Sequence, residues 1–160
     1  MKIAILSDVH GNYPALVKVV ADARANQVEQ FVFVGDYIFD LPFTNEVAEL
    51  LMGMDNARVI KGNKEEYLVD WSKSDQRDWI YDQLGGMYQT FRDCSKESLD
   101  YLLRLPEECY LPLDNGDVLY ATHFLKDCNL GAKKIFGSSS FHKRMRAEPF
   151  GGVSGGIAEG

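Results

Sequence analysis

The sequence lacks the features that mark several large classes of protein. None of its apolar runs approaches the roughly 18 residues that a membrane-spanning helix needs. The apolar stretch near the N-terminus is short, runs directly into Asp8 and has no small-residue cleavage site, so we expect no signal peptide. These absences predict a soluble, cytoplasmic protein.

Cysteine and positive charge are also scarce. The three cysteines, Cys94, Cys109 and Cys128, are odd in number and too widely spaced for C-x-x-C zinc chemistry, so we expect ordinary reduced thiols. Lys and Arg number 17 against 24 Asp and Glu, which gives a net charge of −7. This balance argues against a broad surface for a nucleic-acid polymer or a membrane, because both need a basic face.

The remaining composition is typical of one globular domain of the α/β class. The chain has 160 residues, of which 46% are hydrophobic and 26% are charged. Short apolar runs alternate with helical patterns, and this order predicts a mainly parallel sheet with both faces covered. The predicted strands are 2–6, 31–34 and 57–61, followed by a hairpin of 108–111 and 117–122. The predicted helices are 12–25, 45–52 and 64–104, the last with a break at Gly85-Gly86 and a new start at Ser95.

Polar side chains stand where four of the apolar runs end. Asp8 and His10 follow the first run, Asp36 the second, Asn63 the third and His123 the last. Ligands of open α/β sheets bind just beyond the carboxyl ends of the strands, so these five side chains are expected to converge. Carboxylate, amide and imidazole together suit hard-to-borderline divalent metals. The pattern predicts a metal site.

The same residues resemble a known family. Asp8-Val9-His10, Gly35-Asp36, Gly62-Asn63 and His123 follow the order of the calcineurin-like metallophosphoesterase signature, which is D-x-H, G-D, G-N-H-[DE], H and G-H-x-H. One D-x-H alone is a weak signal, but four ordered blocks after apolar runs are a strong one.

The chain departs from the signature in two places. Lys64 stands where the family most often has the histidine of the third block, while Glu65 matches the acidic position and is expected to pair with Lys64. The final G-H-x-H block does not occur after His123.

The resemblance implies both a fold and an activity. The fold is a layered αββα sandwich that lacks part of its second sheet, with residues 1–123 as the core. Residues 124–160 are expected to be a partly flexible extension of the same domain. The activity is metal-dependent hydrolysis of a small phosphomonoester or phosphodiester at two divalent ions, with manganese, iron or zinc as the candidates.

The resemblance also assigns roles to individual residues. Asp36 bridges the two ions, Asp8 and His10 serve the first ion, and Asn63 and His123 serve the second. Asp36, Asn63 and Lys64 form the catalytic set. Lys64 is either a proton donor with a lowered pKa, a cation beside the leaving group, or simply helix surface.

Two further residues near these motifs are candidates for ligands, and we expect neither to be one. Asp40 is expected to be a loop carboxylate, and His142 to lie on a solvated basic stretch.

Three explanations of the missing block stay open. The chain is a truncated or frameshifted relative, a second protomer supplies the final strands, or catalysis is weakened or lost and the chain is a protein-binding scaffold. A homo-oligomer or another protein partner is therefore compatible with the sequence.

Overall fold

The computed structural model describes residues 1–73 and 85–124, with the side chains of 85–87 left out. Residues 1–124 form one compact unit. The elements, in chain order, are β1 (Ile3–Leu6), α1 (Tyr13–Ala25), β2 (Gln30–Val34), α2 (Thr44–Met52), β3 (Ala57–Ile60), α3 (Asn63–Ser72), α4 (Gly85–Asp93), α5 (Lys96–Arg104), β4 (Glu108–Pro112) and β5 (Val118–Thr122). In the described part of the chain, no helix is long and apolar enough to cross a membrane.

The first three strands form a parallel sheet in the order β1-β2-β3, as the sequence predicts. Ile5 pairs with Val32 in one ladder, and Phe33 pairs with Val59 in the other. All three strands therefore end at the same edge of the sheet, and the loops that carry the predicted ligands leave from this edge.

The central strand β2 anchors the core. Phe31, Val32 and Phe33 are completely buried, and the rings of Phe31 and Phe33 stack on one face of the sheet with centroids 6.1 Å apart. Helix α2 covers this core with Val47 and Leu51. Because β2 is apolar on both faces, its carboxyl end is held firmly in position.

The edge strand β1 does not follow the expectation that both faces are covered. Ile5 is 54% exposed, so one face of β1 is open to solvent. The apolar stripe of α1 is also narrower than predicted, since Leu16 and Val20 are buried whereas Val17 and Val19 are exposed. At 100° per residue, Val17 and Val19 lie to either side of the row that faces the sheet.

Helix boundaries agree with the sequence in most places and differ in one. Asn12 caps α1 by accepting a hydrogen bond from the Ala15 N–H at 3.2 Å, and Ser95 caps α5. The predicted helix of 64–104 ends early, because α3 stops at Ser72, and a new helix, α4, begins at Gly85, where the sequence predicts a break. Helix starts tolerate glycine better than helix interiors, where its backbone entropy costs most.

The hairpin of β4 and β5 is confirmed as an antiparallel pair that forms a second, two-stranded sheet. Its entry lies beside β3, because the Lys61 N–H donates to the Pro106 carbonyl at 2.8 Å. This packing brings the end of β5, and with it His123, toward the ligand loops. The layered α/β fold with a partial second sheet agrees with the prediction. The proposed boundary at residue 123 stays a prediction, since 125–160 lie outside the described residues.

Candidate metal centre

The loops after β1 and β2 are joined by backbone hydrogen bonds. The Asp8 N–H donates to the Gly35 carbonyl at 3.1 Å, and the His10 N–H donates to the Asp36 carbonyl at 3.0 Å. These bonds continue the parallel ladder past the ends of the strands. They fix the D-x-H loop against the G-D loop.

Three candidate ligands have left-handed backbone conformations. The φ angles are 58° at Asp8, 48° at His10 and 60° at Asp36. Residues other than glycine adopt this region infrequently, and such conformations cost free energy that the surrounding contacts must supply. The strain concentrates where the side chains converge, which is where functional sites usually store it.

Two glycines allow the loops after β2 and β3 to touch. Gly35 has φ +84°, and a Cβ there would lie 2.5 Å from the Gly62 Cα and 2.8 Å from His123 Nδ1. A Cβ on Gly62 would overlap the Asp36 carboxylate. Side chains at either position would push the candidate ligands apart.

Asp8, His10 and Asp36 form a cluster at the end of the sheet. His10 Nε2 lies 3.7 Å from Asp8 Oδ1 and 4.0 Å from Asp36 Oδ2. One ligand atom from each residue lies within 4.8 Å of the other two, which is a spacing that can hold one metal ion. The Asp36 side chain is buried, whereas Asp8 is exposed.

His123 and Asn63 also lie beside the Asp36 carboxylate. His123 Nε2 is 3.6 Å from Asp36 Oδ1. The opposite ring nitrogen, Nδ1, lies 2.6 Å from the Val34 carbonyl and must donate to it, because a carbonyl only accepts. In the neutral imidazole this bond leaves Nε2 with a free lone pair directed at the cluster.

The Asn63 amide contacts three acceptor atoms of the cluster. With its oxygen toward the cluster, that atom faces only acceptors: the two Asp36 oxygens at 2.9 and 3.2 Å, and His123 Nε2 at 3.1 Å. A 180° flip of the amide lets its NH₂ group donate hydrogen bonds to all three acceptor atoms. A cation bound among these atoms would stabilise the first orientation, since each atom could then be a ligand. In the described part of the chain, no lysine or arginine forms an ion pair with Asp8 or Asp36.

Comparisons with known proteins place this geometry in a family. The model of the calcineurin-like phosphoesterases matches residues 1–129. The chain belongs to that family.

A solved structure agrees with this assignment. The crystal structure of a metallophosphoesterase from Sphaerobacter thermophilus is similar, with a TM-score of 0.55 and 28% sequence identity. The match covers 68% of this chain and 43% of that chain, so the present chain spans less than half of its neighbour's length. A search of curated proteins found no match. Members of the calcineurin-like phosphoesterase family use divalent metal ions.

Lys64 stands where the family most often has the histidine of the third block, and its backbone contacts Asp36. Its backbone N–H donates to Asp36 Oδ1 at 3.0 Å. Asp36 thereby performs the N-terminal capping that Gly62, the residue before α3, has no side chain to perform. The carboxylate also benefits from the positive end of the helix dipole. The catalytic role of the Lys64 ammonium stays a prediction.

Glu65 does not act as the expected partner of Lys64. Its side chain is completely buried, and both of its oxygens accept hydrogen bonds from backbone N–H groups, those of Asp36, Tyr37 and Gly62. Burial raises the pKa of Glu65, and these hydrogen bonds partly oppose the shift. The spacing of the motif identified the residue, but not these contacts.

Tyr37 supports the same loops, and sequence reasoning missed it. Its hydroxyl donates to the Ile60 carbonyl at 2.6 Å and accepts from the Gly35 N–H at 2.7 Å. Burial raises the pKa of Tyr37 well above its usual value, so the hydroxyl keeps its proton. An aromatic residue after G-D gives no sequence signal for such a bridge.

Asp40 is a loop carboxylate, as expected, but it also lies against a candidate ligand. Its Oδ2 is 3.2 Å from the buried Nδ1 of His10, whose other nitrogen faces the cluster. Carboxylates that contact the outer nitrogen of a ligating histidine orient its ring. His142 lies outside the described residues.

Proposed function

We propose that this chain is a metal-dependent phosphoesterase that hydrolyses a small phosphomonoester or phosphodiester at two divalent ions. Manganese, iron and zinc are the candidate metals, because mixed carboxylate and imidazole ligands suit all three. The convergence of acceptor atoms on both sides of Asp36 is the observation that carries the proposal.

The two oxygens of Asp36 support its assignment as the bridging ligand. Oδ2 faces His10 at 4.0 Å, and Oδ1 faces His123 at 3.6 Å. In the proposal, Asp8 and His10 would hold one ion, Asn63 and His123 would hold the second, and the Asp36 carboxylate would serve both.

The residues around the cluster have separate tasks in this chemistry. Two bound ions would acidify a water and neutralise the charge of the phosphoryl group. His123, fixed through its Nδ1–H, directs its other ring nitrogen, Nε2, at the cluster. The Asn63 oxygen is the ligand of the third block, which requires the amide orientation that faces the acceptors.

Lys64 is assigned to the leaving group. Its backbone N–H donates to Asp36, so Lys64 lies in the first turn of α3, next to the cluster. A lysine ammonium close to the leaving oxygen stabilises the charge that develops there.

The test combines metal analysis with two chromogenic substrates. The chain is stripped of metal, loaded with Mn²⁺, and assayed with bis(4-nitrophenyl) phosphate and 4-nitrophenyl phosphate. We expect retained manganese and hydrolysis of at least one ester. Asp36→Asn should abolish both, whereas Asp22→Asn, which removes an exposed carboxylate on α1, should change neither. Absence of retained metal in the unsubstituted chain would refute the proposal.

The alternative function, a protein-binding scaffold, makes a different prediction. A scaffold would be inactive on both esters with manganese bound, and Asp8→Ala with Asp36→Ala would leave its partner binding unchanged. Ile5, Tyr110 and Val118 are apolar side chains that such a partner could cover, since all three are more than half exposed. Sedimentation analysis distinguishes a second copy of the chain from a different protein.

A further inference from the structure

Glu65 connects the two loops that carry the central candidate ligands. One oxygen, Oε2, accepts from the Asp36 N–H at 2.9 Å and from the Gly62 N–H at 2.7 Å. The other, Oε1, accepts from the Tyr37 N–H at 2.8 Å. A single side chain thus holds the backbone after β2 and the backbone after β3, which are separated by more than 20 residues.

Only a carboxylate matches this set of partners. All three backbone groups are donors, and an ionised carboxylate is an acceptor at both oxygens. Hydrogen bonds of this charged kind are stronger than neutral ones. A glutamine would place an NH₂ group against at least one N–H, and because the side chain is completely buried, bulk solvent does not reach that contact.

The position of this bond network determines where two side chains meet. The Asp36 backbone is held at φ 60°, and the Gly62 N–H directly precedes Asn63 in the chain. The Asn63 amide atom and Asp36 Oδ2 consequently lie 2.9 Å apart. If the Glu65 bonds were lost, the two loops could separate, and the candidate ligands would separate with them.

We propose that Glu65 is a positioning residue that sets the metal affinity of the site by holding the Asp36 loop against the Asn63 loop. The inference rests on the proposed function, since it concerns the same site. Glu65 touches no candidate metal position itself and acts through the backbone of its neighbours.

The experiment measures manganese binding by the full chain and does not depend on hydrolysis. Metal-free protein is titrated with Mn²⁺ by calorimetry well below the melting temperature of each variant. Glu65→Gln should raise the Kd about 10- to 100-fold, the usual effect of changing a group that orients a metal ligand. Glu65→Asp keeps the charge on a shorter side chain, so its manganese Kd should lie between those of the unsubstituted chain and Glu65→Gln. An unchanged Kd in Glu65→Gln would overturn the proposal.

Leu51→Ala separates positioning from general stability. This core variant should lower the melting temperature while leaving the manganese Kd unchanged, because Leu51 is a buried core residue of α2 and is not one of the candidate ligands. A purely structural Glu65 would behave like Leu51, with lower stability and unaltered affinity. That result would also overturn the proposal.

Amide hydrogen exchange keeps the two proposals distinguishable. In metal-free protein, Glu65→Gln should accelerate exchange at the N–H groups of Asp36, Tyr37 and Gly62, and Leu51→Ala should not do so selectively. If the unsubstituted chain binds no manganese, the proposed function fails, and selective acceleration still supports the positioning role. Unchanged exchange at all three amides refutes that role whatever the metal result.

Discussion

Replacing Gly35 by alanine tests whether the loops after β2 and β3 touch as the structure shows. The added Cβ would lie 2.5 Å from the Gly62 backbone and 2.8 Å from the His123 ring. Two costs follow. The left-handed φ of +84° costs an alanine roughly 1–2 kcal/mol, and overpacking against rigid backbone costs roughly 1–3 kcal/mol more.

Gly116→Ala is a matched control for the first of these costs. Gly116 has φ +83°, yet no atom lies within 4 Å of the position of its Cβ. Both substitutions restrict the unfolded chain equally, so that contribution cancels in the comparison. We expect Gly35→Ala to lower the free energy of unfolding by about 2–5 kcal/mol in total and Gly116→Ala by about 1–2 kcal/mol.

Urea denaturation followed by circular dichroism measures both values. For a chain of this size, the loss predicted for Gly35→Ala corresponds to roughly 6–15 °C in melting temperature. Manganese affinity should fall in Gly35→Ala and stay unchanged in Gly116→Ala. Only the Cβ at residue 35 would push candidate ligands apart, because it meets the Gly62 backbone and the His123 ring. If the two variants are equally destabilised, the close approach of the two loops is wrong.

Three further outcomes are expected. If the ammonium stabilises the leaving group, Lys64→Ala should lower kcat about 100-fold with the manganese Kd unchanged. An unaltered kcat would mean that the Lys64 side chain has no part in catalysis. Tyr37→Phe leaves two buried backbone groups unsatisfied and should cost about 1–3 kcal/mol in urea unfolding; a neutral change would contradict the bridge. Burial raises the pKa of Cys94 to about 11, so the thiol stays protonated at pH 8 and reactivity rises only toward pH 11. With Cys109 and Cys128 changed to serine, iodoacetamide should react at pH 8 about 100-fold more slowly than with an ordinary thiol, and equal rates would be inconsistent with that burial.

The sequence predicts the frame of the site because its signals are local. Phe31–Val34 is apolar on both faces and stops at a glycine, which identifies a central strand and its carboxyl end. The Asp114-Asn115-Gly116 turn identifies the hairpin that delivers His123. Each of these inferences needs only neighbouring residues.

The contacts that support the site could not be predicted in the same way. The bonds of Glu65 join residues 28 and 29 positions apart, and the contact of Asp40 with His10 depends on a loop whose backbone is left-handed at Asp40 itself. The exposed Ile5 depends on which strand lies at the edge of the sheet, and strand composition does not specify it.

The left-handed backbone at Asp8 and Asp36 has a consequence for how this site can change over evolutionary time. Asparagine adopts that conformation about as readily as aspartate, so an Asp→Asn exchange removes the charge of a candidate ligand with little conformational cost. At the buried Asp36, it also removes a carboxylate that repels Glu65. Single Asp→Asn substitutions could therefore remove metal binding while the fold is kept. Descendants that lose the ions would keep intact surfaces, available for recruitment to other roles.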